Sequence, residues 1–511
     1  MTQHALLAPL APLRAHRGAR RTVGLDDAAL ARFADDVELA GAIDAAAAEY
    51  ARLKDEFADL LDQDEDAQVR AVQAGYVNFY PDDAVNPYIA LAARGPWVVT
   101  LKGAVLHDSG GYGMLGFGHA PPDVIEAMAR PQAMANIMTP SLSQLRFTRL
   151  LTDAIGLGRD CPYDRFFCLN SGSESVTLAA RIADANAKTL TDPGARHAGK
   201  QIRRVVVKGS FHGRTDRPAL YSDSTRKTYL KYLASYRDEG TVIAIEPYDT
   251  AALEQAFADA DANGWFIEAM FLEPVMGEGD PGRSVPVAFY EKARALTKAH
   301  GALLLVDSIQ AGLRAHGVLS IVDYPGFEDA EAPDMETYSK ALNAGQYPLS
   351  VLAVGRDAAG IYQRGLYGNT MTSNPRALDT ACAVLAKVTP DYIVGGKRML
   401  RDNGVWAQSL KKPQTALVTE GMERMVPEGI ITKDGVLHEV DMIIYATGFQ
   451  ASEFLEPLKF TGLNGADLHE YWGGDAKAFA GVTVPNFPNL FVLYGPNTNL
   501  GHNSILFMIE A

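Results

Sequence analysis

Short, unbroken apolar runs set apart by amphipathic stretches constrain this chain more than any other feature. From about Tyr76 they recur as Trp97-Val98-Val99-Thr100-Leu101, Arg204-Val205-Val206-Val207, Ala269-Met270-Phe271-Leu272 and Ala302-Leu303-Leu304-Leu305-Val306. None alternates strictly between apolar and polar residues, so each reads as a parallel strand covered on both faces. Such strands, separated by helices, build an α/β fold around a mostly parallel central sheet. Residues 1–75 read as a helical N-terminal extension. Leu30, Phe33 and Val37, then Leu53, Phe57 and Leu60, fall at helical spacing in a segment rich in Ala, Leu, Asp and Glu, expected as solvated helices. Arg14, Arg17, Arg20 and Arg21 faintly resemble a transit peptide, but Pro12 and Gly18 interrupt them and serine is lacking. This arm is expected to be disordered or a packing extension.

Bulk properties narrow the partners. A length of 511 residues favours more than one domain. A net charge of −15 argues against nucleic acid and anionic membranes, while leaving room for a local phosphate pocket. No apolar stretch approaches the roughly 20 residues that span a bilayer. Cys161, Cys168 and Cys382 are scattered without a CxxC, which indicates neither disulfides nor a metal site and implies a reducing, cytoplasmic setting.

Asp307 ends one apolar run, and Lys340 follows about thirty residues later in Tyr338-Ser339-Lys340-Ala341-Leu342. Pyridoxal phosphate (PLP) chemistry needs this pairing. The amine can hold the cofactor covalently, and the carboxylate can keep the pyridine nitrogen protonated so that the ring draws electrons. Upstream, the strand Phe166 to Asn170 runs through Ser171-Gly172-Ser173 into a helix from Glu174 to Ala187, where free N–H groups favour a phosphate. Phe211 and His212 follow a Val-rich strand, Glu273-Pro274 closes another, and Gln310 lies shortly after Asp307. Each has an ordinary alternative: a serine N-cap, a core phenylalanine, a loop histidine, a turn-capping glutamate, a glutamine on backbone, a surface lysine. Their order in the chain is the informative part.

In that order the segments Asn170-Ser171-Gly172-Ser173-Glu174, Ser210-Phe211-His212-Gly213-Arg214, Glu273-Pro274-Val275-Met276-Gly277-Glu278-Gly279, Asp307-Ser308-Ile309-Gln310-Ala311-Gly312, Ser339-Lys340-Ala341-Leu342 and Gly368 to Pro375 resemble a class III aminotransferase of the PLP fold type I superfamily, over about residues 75–390. The resemblance implies a transaminase that moves an amino group between an amine or amino acid and a 2-oxo acid. It implies Lys340 as the residue that carries PLP and then shuttles the substrate proton, and Asp307 as partner of the pyridine nitrogen. Phe211 would stack on the ring, with His212 and Glu273 beside it. Ser171, Gly172 and Ser173 would cradle the phosphate, and Gln310 would approach the phenol oxygen. Thr370 would reach the phosphate of a neighbouring subunit, implying a homodimer. Two departures from the family pattern, Ser308 in place of a glutamate and Arg314 one place early, concern substrate recognition.

Gly111-Tyr112-Gly113-Met114-Leu115-Gly116 satisfies GxGxxG, yet no helix opens inside it. It reads as a turn, with Pro121-Pro122 starting the next helix. Near residue 390 the texture changes. Residues 414–449 read as a β-meander turning at Asp434-Gly435, and Asn486 to Gly495 as a further strand. Gly395-Gly396-Lys397-Arg398-Met399-Leu400, Asp441 to Phe449, Phe487-Pro488-Asn489-Leu490-Phe491 and Gly495-Pro496-Asn497-Thr498-Asn499 resemble the C-terminal part of a Baeyer–Villiger flavin monooxygenase, giving domains 1–75, 76–390 and 391–511. The glycine-rich nucleotide-binding turns of such enzymes are missing, so FAD and NADPH are not expected. The segment stands where the resemblance places a small domain that closes the transaminase site. A transaminase with an inert tail, impaired by that loss, is the leading expectation. A non-catalytic chimera or scaffold and a flavin monooxygenase are the alternatives.

Overall fold

The computed structural model describes residues 6–80, 85–108, 117–237, 240–389, 418, 421–426, 428–440, 458–473, 476–478 and 483–490. The chain divides into two compact units, Met1–Thr415 and Ala416–Ala511. The division falls beyond the change of texture near residue 390.

In the first unit, helix α1 (Val37–Leu53) starts at Asp36, whose carboxylate accepts from the N–H of Glu38 at 2.8 Å and Leu39 at 3.3 Å. Leu39, Ala42, Ile43 and Ala46 form an i, i+3, i+4, i+7 stripe and are fully buried. They pack with Trp97, Val99 and Val105 of a three-stranded antiparallel sheet, β1 (Ala90–Arg94), β2 (Trp97–Thr100) and β3 (Val105–His107). Two expectations are thereby corrected. The extension is not merely solvated, because Leu6, Leu10 and Leu13 of the arginine-bearing arm are also buried, each removal from water contributing about 2 kcal/mol. The run at Trp97 is not a parallel strand either. It has no polar side because both faces of this antiparallel strand are buried, Trp97 and Val99 against the N-terminal helices and Val98 on the opposite side.

The main sheet has seven strands: β4 (Arg165–Leu169), β5 (Gln201–Val207), β6 (Val242–Ile245), β7 (Trp265–Leu272), β8 (Leu303–Asp307), β9 (Met335–Tyr338) and β10 (Ser350–Val354). Their spatial order is β4-β10-β9-β8-β7-β5-β6. Neighbours are parallel from β6 to β9, and β10 runs antiparallel to both β9 and β4. Val205, Val207, Met270, Leu272, Leu304 and Val306 enter one hydrophobic cluster, whereas Val206, Ala269, Phe271, Leu303 and Leu305 enter another. Successive side chains thus feed two cores on opposite faces, which is why these runs have no polar side. Helices α2 (Gly172–Thr191), α3 (Val287–His300) and α4 (Pro375–Leu385) supply the cover. Another helix begins at Pro122 as the sequence implies.

The second unit contains an antiparallel meander, β11 (Met422–Val426), β12 (Gly429–Thr432) and β13 (Leu437–Glu439), turning at Asp434-Gly435 with Gly435 at φ +83°. Leu468, Trp472, Val484 and Phe487 form its small core. The motifs at Gly395–Leu400, Asp441–Phe449 and Gly495–Asn499, the glycine turn 111–116 and residues 491–495 of the strand expected at 486–495 lie outside the described residues, and the described half, 486–490, is turn rather than strand because Pro488 has no N–H to give a ladder.

Candidate active site

The carboxyl ends of five mutually parallel strands carry the candidate residues. Asp307 is the last residue of β8, Ser339-Lys340 follows β9, Ser171 follows β4, Phe211 follows β5, and Glu273 follows β7. Open α/β sheets bind ligands at this end. Asp307 and Lys340 line one cavity of about 740 Å³ together with Ser171, Gly172, Ser173, Phe211, His212 and Gln310. Lys340 sits at φ +47°, a region a lysine rarely adopts, and opens the short turn Lys340–Asn343.

The start of α2 turns its free first-turn N–H groups to the cavity wall, where a negative group is favoured. Ser171 Oγ accepts from Glu174 N at 3.3 Å as the N-cap, and Glu174 Oε2 accepts from the N–H of the preceding residue, Asn170, at 2.7 Å. The first-turn N–H groups of Gly172 and Ser173 have no intrahelical acceptor. Ser350 Oγ donates to the Ser171 carbonyl at 2.6 Å and receives Ser175 Oγ at 2.7 Å, tying the helix start to β10. A Cβ on Gly172 would come within 2.5 Å of Ile309 Cδ1, so only glycine lets the helix end approach the Asp307–Gln310 turn this closely.

Beyond Asp307, polarity is buried and ordered. His212 Nδ1 lies 2.9 Å from Asp307 Oδ2, and Asp307 Oδ1 accepts from Ile309 N at 3.1 Å. His212 Nε2 is buried with no protein partner among the described residues. Glu273 accepts from Phe211 N and Gly277 N, each at 2.9 Å, and burial pushes its carboxyl up to about 7 against the opposing pull of His212. Burial also lowers the Lys340 amine. The Asp307 carboxylate opposes that shift and the Arg314 charge adds to it, so more of the amine is a neutral nucleophile.

An aromatic rim closes one side. The Arg214 guanidinium lies 5.3 Å from the centre of the Phe211 ring and 5.5 Å from that of Phe79, and its Nη2 is 3.5 Å from Glu278 Oε2. The Phe79 and Tyr80 rings lie 4.3 Å apart, tilted by 35°, and both line the cavity.

Two predicted residues stand apart. Glu273 is outside the lining and supports the wall through Phe211. Thr370 is exposed and also outside it, with its carbonyl accepting from Ile137 N at 3.0 Å. Sequence reasoning missed Asn343, Glu278, Phe79 and Tyr80 as lining residues. Asn343, three places past Lys340 in the same turn, carried a local signal. Phe79 and Tyr80 carried none, because tertiary packing alone brings them to the cavity.

Residues 79–402 match the aminotransferase class-III family. The chain belongs to that family. Over 290 residues it is 30% identical to the acetylornithine aminotransferase of Xanthomonas axonopodis pv. citri, covering 56% of this chain and 64% of that one. A separate likeness joins 124 residues, 24% of the chain, at 44% identity to an FAD-binding monooxygenase of Aspergillus niger, and spans 20% of that protein. A Baeyer–Villiger monooxygenase of Pseudomonas aeruginosa is 42% identical over 125 residues, 24% of either chain. The chain therefore spans less than two thirds of each of these relatives. Its fold is that of the ornithine aminotransferase of Toxoplasma gondii, with TM-score 0.54, 23% identity, and coverage of 68% of this chain and 76% of that one. Class-III aminotransferases use PLP with amino donors and 2-oxo acids. The cavity's size, the close approach at Gly172, the anion-seeking helix start and the half-buried lysine facing a carboxylate all fit that cofactor.

Proposed function

We propose that the first unit is a PLP-dependent transaminase moving an amino group between an amine or amino acid and a 2-oxo acid. One observation carries this: Lys340 and Asp307 face a single cavity whose floor is the amino end of α2. Bound PLP supplies an electron sink for charge left on the substrate carbon. Lys340 Nζ holds the cofactor and then carries a proton to and from that carbon, its lowered basicity suiting both tasks. Asp307, oriented by His212 and Ile309 N, holds a proton at the pyridine nitrogen. Ser171, Gly172 and Ser173 would hold the cofactor's phosphate, and Phe211 and Gln310, which line the same cavity, would contact the ring system.

Thr370 acts in the partner's site of a homodimer. Its exposure beside exposed Met138 and Met371 supports that reading. Three free cysteines support a cytoplasmic setting. We assign the monooxygenase likeness to the C-terminal segment from about residue 391 and read that segment as binding neither FAD nor NADPH. The short matched length supports this, as does the family match ending at residue 402. The same fragmentary likeness favours a second reading, a non-catalytic chimera.

Absorbance separates the readings. A visible PLP band present in the purified protein, bleached by an amino donor and absent in Lys340→Ala, supports the transaminase. A protein colourless with added PLP is the chimera, and co-purified FAD would restore the monooxygenase reading.

A further inference from the structure

Glu336, on β9, is fully buried, and each of its oxygens accepts twice. Oε1 accepts from Ser308 Oγ at 2.6 Å and Ile321 N at 2.9 Å, while Oε2 accepts from Ser320 Oγ at 2.5 Å and Tyr163 OH at 2.6 Å. The four donors come from three separate stretches: the turn after β8, the loop entering residues 320–321, and the approach to β4. A carboxylate in a core is costly to desolvate, and apolar residues of similar volume are often as good or better for stability alone. Its four hydrogen bonds give it a geometric role instead, and the geometry it sets is local to the cavity. Ser308 directly follows Asp307. Its N–H donates to the Thr337 carbonyl at 3.0 Å, and its carbonyl accepts from Gly312 N at 2.7 Å, so it is the pivot of the turn that presents Ile309 and Gln310. Glu336 itself lies four residues before Lys340.

We propose that Glu336 is a positioning residue for the transamination site. Its carboxylate clamps Ser308 and thereby holds Asp307 and Gln310 in register with the strand that delivers Lys340. This rests on reading the cavity as the PLP site. It adds a residue that touches neither cofactor nor substrate. It also accounts for the serine at position 308, where a longer acidic side chain would meet the Glu336 carboxylate.

The test uses the full chain with Ser308→Ala, Glu336→Met and Glu336→Gln. Apo unfolding by urea, PLP affinity by absorbance, and the pH midpoint of the bound chromophore are followed. Ser308→Ala cuts only the tie to the Asp307 turn and leaves Glu336 three donors. It is expected to lower the apo urea midpoint while leaving the chain folded without denaturant, yet under those native conditions to bind PLP about tenfold more weakly, with a shifted chromophore midpoint. Glu336→Met is expected to lose more. Glu336→Gln is expected to rescue affinity to within about threefold, because its amide oxygen still serves Ser308 and Ile321 while its NH2 donates to the two remaining hydroxyls. Unchanged PLP affinity and midpoint in Ser308→Ala overturn the proposal even if Glu336→Met fails to fold. Losses in Ser308→Ala that appear only where urea has begun to unfold the chain overturn it too. A wild-type chain that binds no PLP defeats instead the reading of the cavity on which it rests.

Discussion

Gly213→Ala is a sharp probe of how the phosphate end is built. Gly213 sits at φ +108°, and an added Cβ would lie 2.6 Å from Ser173 Oγ and 3.2 Å from Pro218 Cβ. The backbone conformation alone costs an alanine about 1–2 kcal/mol. Gly194 is the control, because at φ +86° it has no neighbouring atom within 4 Å of the added carbon, so Gly194→Ala carries the backbone cost without the contact. The contact in Gly213→Ala forces the Ser173 hydroxyl aside or shifts the loop, adding about 1 kcal/mol or more. The proposed site has that hydroxyl donating to a charged phosphate, a bond worth about 1.5–3 kcal/mol, or roughly 10- to 150-fold in Kd. Urea unfolding of the apo protein and PLP titration by absorbance measure the two effects. Gly213→Ala should be the less stable variant by about 1 kcal/mol and should bind PLP at least tenfold more weakly, with Gly194→Ala binding normally. Equal PLP affinity in the two variants would refute the placement of Ser173 at the phosphate.

Three further outcomes concern buried charge. In the apo protein Glu273 keeps a proton up to about pH 7 that the unfolded chain releases near 4.5, so its contribution to stability declines as pH rises through that window, by about 2–3 kcal/mol. Glu273→Gln should remove that decline, and an unchanged difference between urea midpoints at pH 4.5 and 7 would contradict it. His300 accepts from Ile267 N at 3.0 Å through Nε2, and burial lowers its pKa to about 4. Between pH 6.5 and 4 the unfolded chain takes up a proton the native state refuses, so stability falls with acidification by up to about 3 kcal/mol. His300→Gln should flatten that acid slope, and wild-type steepness in the variant would argue against it. Arg204 pairs with Glu268 at 2.8 Å in the sheet interior, with Tyr221 OH on the same oxygen. Arg204→Met leaves a buried carboxylate and should cost about 3–5 kcal/mol, most of it recovered on adding Glu268→Leu; no recovery in the double variant would count against the pairing.

The continuous runs at Val205, Met270 and Leu304 were legible as strands because residues of both parities are apolar, each parity feeding its own core. Their parallel orientation was also read correctly, but the same reading failed at one run. Trp97–Thr100 is likewise buried at every position yet lies in an antiparallel sheet, since burial of both faces leaves the same pattern whichever way the neighbours run. The cavity's floor was readable from Ser171-Gly172-Ser173 before a helix, and its lysine and carboxylate from their places after strands. The supporting shell was not. Glu336 reads as an ordinary strand residue until Ser308, Ser320, Ile321 and Tyr163, far from it in sequence, converge on its oxygens. Phe79 and Tyr80 follow the same logic, reaching the mouth from a segment with no motif of its own.

Reductive trapping tests the central claim most directly. The full chain is incubated with PLP, reduced with borohydride, digested and mapped by mass spectrometry. A single phosphopyridoxyl group on Lys340, abolished by Lys340→Ala and weakened by Asp307→Asn, is the expected result. Label spread over surface lysines such as Lys54 and Lys298, with Lys340 bare, would contradict it.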